Sequence, residues 1–127
     1  KAKLVSHVRS FIGPGSSLAS NAVECSADEG KFLPFHSYLY ETQGSENSGA
    51  WSNEGLISAG ANAGVASGKF KNCVNSGTYT GWVSDVANDG AAKNINSTPT
   101  LFVNGKPLDR NTQYFDAAGF AAAVEGK

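Results

Sequence analysis

Two cysteines, two histidines and one Thr-Pro step are the positions where this sequence offers chemistry. Cys25 and Cys73 stand 48 positions apart and form no Cys-x-x-Cys. Thiol–disulfide catalysis needs a thiolate of lowered pKa at a helix N-terminus with a resolving thiol close by, and neither cysteine is so placed. Three readings of the pair stand side by side: a bridge between two helices, two buried free thiols, or a redox switch. Thr98-Pro99 opens a β-rich run. Most X-Pro bonds are trans, so local sequence alone favours a trans proline starting a strand. A cis bond would instead set the Thr98 backbone at a bend, its N–H and C=O open to an extended peptide. His36 follows Phe35 and has Tyr40, not a ligand, at i+4, which reads as a packed or capping histidine. His7 has no Cys or carboxylate at metal spacing. No G-x-S-x-G elbow accompanies the serines, and Gly13-Pro14-Gly15 is too short for a phosphate loop. No metal and no cofactor is expected.

Composition narrows the partners. The chain has 127 residues, 40% hydrophobic and 17% charged, with a formal net charge of −1. Near-neutrality argues against a nucleic-acid binder working through a basic field. No run approaches the length of a membrane-spanning helix. Lys1 reads as a position downstream of the translation start, with any secretion signal removed or lying outside this sequence. Many Ser, Asn, Gly and Ala residues with few charges lean toward an exported protein.

The elements that must position these groups follow from periodicity. Leu4 to Ile12 (LVSHVRSFI), closed by Gly-Pro-Gly, predicts a strand and a turn. Ser16 or Ser17 would cap a helix carrying Leu18, Ala22 and Cys25 on one face. Pro34 suits the first turn of a second helix, with Phe32, Phe35, His36 and Leu39 on one side. A loop at 44–50 leads to Ser52 as the cap of an Ala/Gly-rich helix, roughly 53–63. One short helix then holds Phe70, Cys73 and Val74, and a longer one gathers Tyr79, Trp82, Val83 and Val86. Residues 14–91 thus read as one helical block. Pro99 to Val103 and Lys106 to Leu108 flank Asn104-Gly105, the strongest short-range hairpin signal. Pro107 fits only an edge strand. A last helix, about 115–124, ends at Gly126. The order is β, helical block, hairpin, α, and its sheet is thin.

The segment 22–36 (AVECSADEGKFLPFH), with Phe70, Cys73, Gly77 and Tyr79, then 95–106 (INSTPTLFVNGK), resembles DsbA-like thiol–disulfide oxidoreductases, particularly those of actinobacterial type. The likeness runs from about residue 3 to residue 125. It implies an α/β thioredoxin-like fold of DsbA type, with 1–13 and 92–127 forming a partial thioredoxin-like domain and 14–91 a helical insertion. It implies a cis Thr98-Pro99 with both residues binding substrate, and a structural disulfide between Cys25 and Cys73. The departure is the CxxC: the family's first strand and catalytic motif, which stand ahead of the strand matching Leu4 to Ile12, have no counterpart here. The resemblance therefore implies an extracytoplasmic oxidoreductase of the bacterial cell envelope, represented without its CxxC and inactive alone. Its partners would be unfolded or exported polypeptides, a redox partner protein, and either a separate N-terminal segment or another chain exchanging strands. The alternative is a redox-inactive thioredoxin-like module that binds peptides or partners.

Overall fold

A computed structural model describes residues 1–127. The chain divides into two compact units, His7–Asp89 and Lys1–Ser6 with Gly90–Lys127. The first is all-helical: α1 (Pro14–Ala27), α2 (Phe32–Thr42), α3 (Asn53–Asn62), α4 (Gly68–Ser76) and most of α5 (Thr80–Ala92). The second holds the end of α5, β1 (Phe102–Val103), β2 (Lys106–Pro107) and α6 (Ala117–Glu125).

In the helical unit, α1 packs against α2, α3 and α4. Ala22, Val23, Cys25, Phe35, Leu39, Leu56, Ala59, Val65, Phe70 and Val74 form its buried core. The rings of Phe35 and Phe70 meet edge to face at 5.6 Å, the favoured geometry for an aromatic pair. Gly60 is a required glycine here. A Cβ at that position would lie 2.4 Å from Phe70 Cε1, so α3 and α4 approach as closely as they do because nothing is there.

The helix ends follow known capping chemistry, with two departures from expectation. Ser52 caps α3 by accepting the Gly55 N–H at 3.1 Å, as the sequence predicts. Ser67 does the same for α4 through the Phe70 N–H at 3.0 Å. The α1 cap is not Ser16 or Ser17: Gly13 takes that position without a side-chain bond, and Pro14 begins the helix. Proline's fixed φ and missing N–H suit the first helical position, so the helix starts a turn earlier than serine capping suggests. The second departure is Trp82, which is 55% exposed rather than packed inward beside the buried Val83 and Val86. Its indole hydrogen-bonds Glu24.

The expected strand at Leu4 to Ile12 does not form; residues 1–11 have no regular structure. A strand exists through its ladder, and the chain's one sheet pairs only β1 with β2. Leu4 and Val5 are exposed. The hairpin appears as read, but shorter, with Phe102 opposite Pro107 and Val103 opposite Lys106. Asn104 and Gly105 have φ of 50° and 79°, the left-handed pair that a type I′ turn requires. The last helix is capped by Asp116, whose carboxylate accepts the Gly119 N–H at 2.7 Å, and ends on left-handed Gly126.

Candidate functional site

The Thr98-Pro99 loop is built from the chain just before β1 and the turns after β2. The Thr98-Pro99 peptide bond is cis. Both residues are exposed, as a surface meeting another chain must be. Four backbone groups around them are tied down. The Ser97 carbonyl accepts from Thr100 Oγ1 at 2.5 Å. The Pro99 carbonyl accepts from Arg110 Nη1 at 3.2 Å, and the same nitrogen reaches Ser97 Oγ at 3.5 Å. The Leu101 N–H donates to the Tyr114 hydroxyl at 2.8 Å, while the Leu101 carbonyl accepts from the Leu108 N–H at 3.0 Å.

Arg110 and Tyr114 also brace one another, the guanidinium carbon lying 5.4 Å from the Tyr114 ring centroid. The segment carrying them is held by its own turn chemistry. The Gln113 N–H donates to the Asp109 carbonyl at 2.9 Å, the Gln113 side chain accepts the Asp109 N–H, and Asp109 Oδ1 accepts the Asn111 N–H. Against this framework the Thr98 N–H and C=O make no hydrogen bond within the chain. Exposed and unpaired backbone groups on a fixed loop can pair with an extended peptide in the manner of an added strand.

Cys25 and Cys73 come together elsewhere, within the helical unit. Their sulfurs are bonded, the Cα atoms 5.8 Å apart, and no cysteine is free. Cys25 lies in the core at 1% exposure. One turn earlier on α1, the buried Asn21 makes a second tie: its Oδ1 accepts the Tyr79 N–H at 2.8 Å and its Nδ2 donates to the Val74 carbonyl at 3.4 Å. Asn21 sits on the same stripe as Leu18 and Cys25, and a polar residue on an apolar stripe is the sequence signal that would have found it. Arg110 and Tyr114 carried no such signal, because their partners are backbone groups far along the chain.

Of the two histidines, His36 lies among aromatic rings of its own helix. His36 is stacked on Phe32 at 5.5 Å and meets the tilted ring of Tyr40 at 4.9 Å. Burial lowers its pKa, since the charged imidazolium is poorly hydrated there. Glu24 is raised, mainly by burial, against the opposing Trp82 hydrogen bond and with help from the Asp28 charge. The Tyr79 hydroxyl donates to both Asp28 oxygens, at 2.7 and 2.8 Å, which raises the phenol pKa. No three His, Cys, Asp or Glu side chains gather as a metal site would need.

Known proteins share this architecture. The thioredoxin family profile matches residues 2–121. The reduced disulfide bond oxidoreductase DsbG of Mycobacterium tuberculosis superposes with a TM-score of 0.74 at 31% identity, over 94% of this chain and 59% of that one. Oxidised DsbA from the same organism gives 0.71 at 31% identity, covering 97% and 61%. MdbA, a thiol-disulfide oxidoreductase of Actinomyces oris, gives 0.64 at 29% identity, covering 89% and 57%. The chain therefore spans about three-fifths of the length of these structures. No curated protein sequence matches it.

Proposed function

The chain belongs to the thioredoxin family, with DsbA- and DsbG-type proteins among its relatives, and from that membership we propose that it is the substrate-docking and helical part of a thiol–disulfide oxidoreductase. Its substrates are unfolded or exported polypeptides outside the cytoplasm, and a redox partner protein resets the exchanging thiols. The observation that carries the reading is the Thr98 backbone, unpaired and exposed on a loop where the Ser97 and Pro99 carbonyls and the Leu101 N–H beside it are engaged. An extended substrate pairs with Thr98 and lies along Pro99, which holds its cysteine in place for attack. Two backbone hydrogen bonds give such docking modest affinity and little sequence selectivity, which suits an enzyme serving many clients.

Cys25 and Cys73 have no part in the exchange. They are joined to each other, and one of them is buried in the core, where a thiolate is disfavoured and a partner disulfide cannot approach. Their bond supports an oxidising location, where such bridges persist. The chain alone is inactive on this reading, because its sequence contains no CxxC.

The test has two arms. A reduced, alkylated and unfolded polypeptide titrated against the protein should move the Thr98 amide resonance saturably; an unmoved Thr98 sinks the docking assignment. Insulin reduction with dithiothreitol should stay at the rate without protein. Turnover by these 127 residues would show that Cys25 and Cys73 do exchange. A redox-inactive peptide-binding module is the second reading, favoured by one observation: both cysteines of the chain are consumed in their own bond. Insulin turnover by the natural full-length polypeptide excludes it.

A further inference from the structure

We propose that Arg110, with Tyr114 behind it, is the positioning residue that sets the substrate-pairing geometry of Thr98. The inference rests on the docking role of Thr98 and adds the device that makes that role specific. The loop has two sites where it must not turn: the Pro99 carbonyl immediately after Thr98, and the Leu101 N–H leading into β1. Arg110 holds the first and Tyr114 the second. Both bonds come from one turn segment, so the loop is clamped at two points by a single external brace.

The chemistry of each partner suits its task. Arg110 donates to neutral groups alone, the Pro99 carbonyl and Ser97 Oγ, and a charged donor makes a stronger bond to a carbonyl than a neutral one. Its planar fork is kept in orientation by the Tyr114 ring. With one lone pair of the Pro99 carbonyl engaged by Arg110, that carbonyl competes less well for the N–H groups of an incoming strand. The Thr98 carbonyl, which has no partner within the chain, is then the freer acceptor of the two. Without Arg110, the Pro99 carbonyl is released, the Pro99–Thr100 peptide plane can rotate, and a docking peptide meets a stronger competing acceptor beside Thr98.

The experiment compares wild type, Arg110→Ala, Arg110→Lys and Tyr114→Phe, each as the full chain. A thiol-free, unstructured peptide of about ten residues serves as the probe, followed by the amide resonances of Thr98 and Leu101 and by thermal melting of the helical unit. Arg110→Ala should weaken peptide affinity roughly fivefold, the loss expected for one charge-assisted bond at an exposed site. Arg110→Lys should recover part of it, since an ammonium still donates but does not stack. Tyr114→Phe should shift the Leu101 amide in the free protein and weaken binding in the same direction. The melting of the helices should not move in any of the three. Wild-type binding with an unchanged affinity in Arg110→Ala overturns the positioning role and leaves docking at Thr98 standing. Absence of peptide binding by the wild type overturns both.

Discussion

Replacing Gly60 by alanine sets two physical effects against each other, and the structure decides between them. Gly60 lies inside α3, where alanine ordinarily stabilises a helix by about 0.5–1 kcal/mol relative to glycine. At this position the new Cβ would fall 2.4 Å from Phe70 Cε1, 2.9 Å from Phe70 Cζ and 2.8 Å from the Val65 carbonyl oxygen. Carbon atoms rest about 3.5–4.0 Å apart, so the ring must withdraw by more than roughly 1 Å. Phe70 has no room to do so, being fully buried with its edge against Phe35. The Val65 carbonyl is backbone, and the Val65 N–H is itself bound to the Gly60 carbonyl at 2.8 Å. Overpacking of this kind costs about 1–3 kcal/mol. With two obstacles, one of them immovable, the upper part of that range applies, and Gly60→Ala should lose about 2 kcal/mol net of the helical gain. Urea unfolding followed by far-UV circular dichroism, with the disulfide intact, measures it. Gly81 in α5 is the control, because a Cβ there meets nothing within 4 Å; Gly81→Ala should hold or gain about 0.5 kcal/mol. Adding Phe70→Leu to Gly60→Ala should recover only part of the loss, since the Val65 carbonyl remains. A Gly60→Ala protein as stable as wild type would refute the steric reasoning.

Three further outcomes follow from the helical unit. Asn21→Ala should cost about 1–3 kcal/mol in the same unfolding experiment, because it leaves the Tyr79 N–H without its acceptor; an unchanged midpoint would mean that water replaces the amide. The double variant Cys25→Ala/Cys73→Ala should lose up to about 4 kcal/mol, the loop-closure entropy of a 48-residue separation. Stability equal to wild type would show that the bridge constrains nothing. His36 has a folded pKa below its ordinary 6.5, so the fold favours the neutral ring. Its contribution is complete above that pH and lost as pH falls through 6.5 toward the lowered value. His36→Phe should therefore flatten the pH dependence of stability in that window, and an identical slope in both proteins would count against it.

Much of this architecture was legible because it is local. Asn104-Gly105 announced a hairpin, and its two left-handed residues need no distant partner. Ser52, Pro34 and Gly126 marked helix ends for the same reason, and the stripe Phe35–Leu39 marked a core face. The misses are non-local. Leu4 to Ile12 has the composition of a strand, yet strand formation depends on a neighbour with free backbone groups, which no composition supplies. Ser67 leaves a weak capping signal, because no Glu or Gln follows three residues on and α4 opens on Gly68 and Lys69. Within the candidate site, Thr98 and Pro99 stood out through a Pro at the head of a β-rich run and through family resemblance. Their brace did not: Arg110 reaches a carbonyl 11 residues away, and Tyr114 an amide 13 residues away. Side chains that serve backbone groups leave no periodicity to read.

Asn21 and Cys25 fasten α1 to the same stretch of chain, one by an amide and the other by sulfur, and they stand four positions apart. Both fastenings therefore share one pitch. A residue inserted or deleted between positions 21 and 25 would rotate the two side chains about 100° out of step, so no single slide of the helix could restore both. Length variation in this protein should accordingly be found at the 44–50 loop and never within that turn.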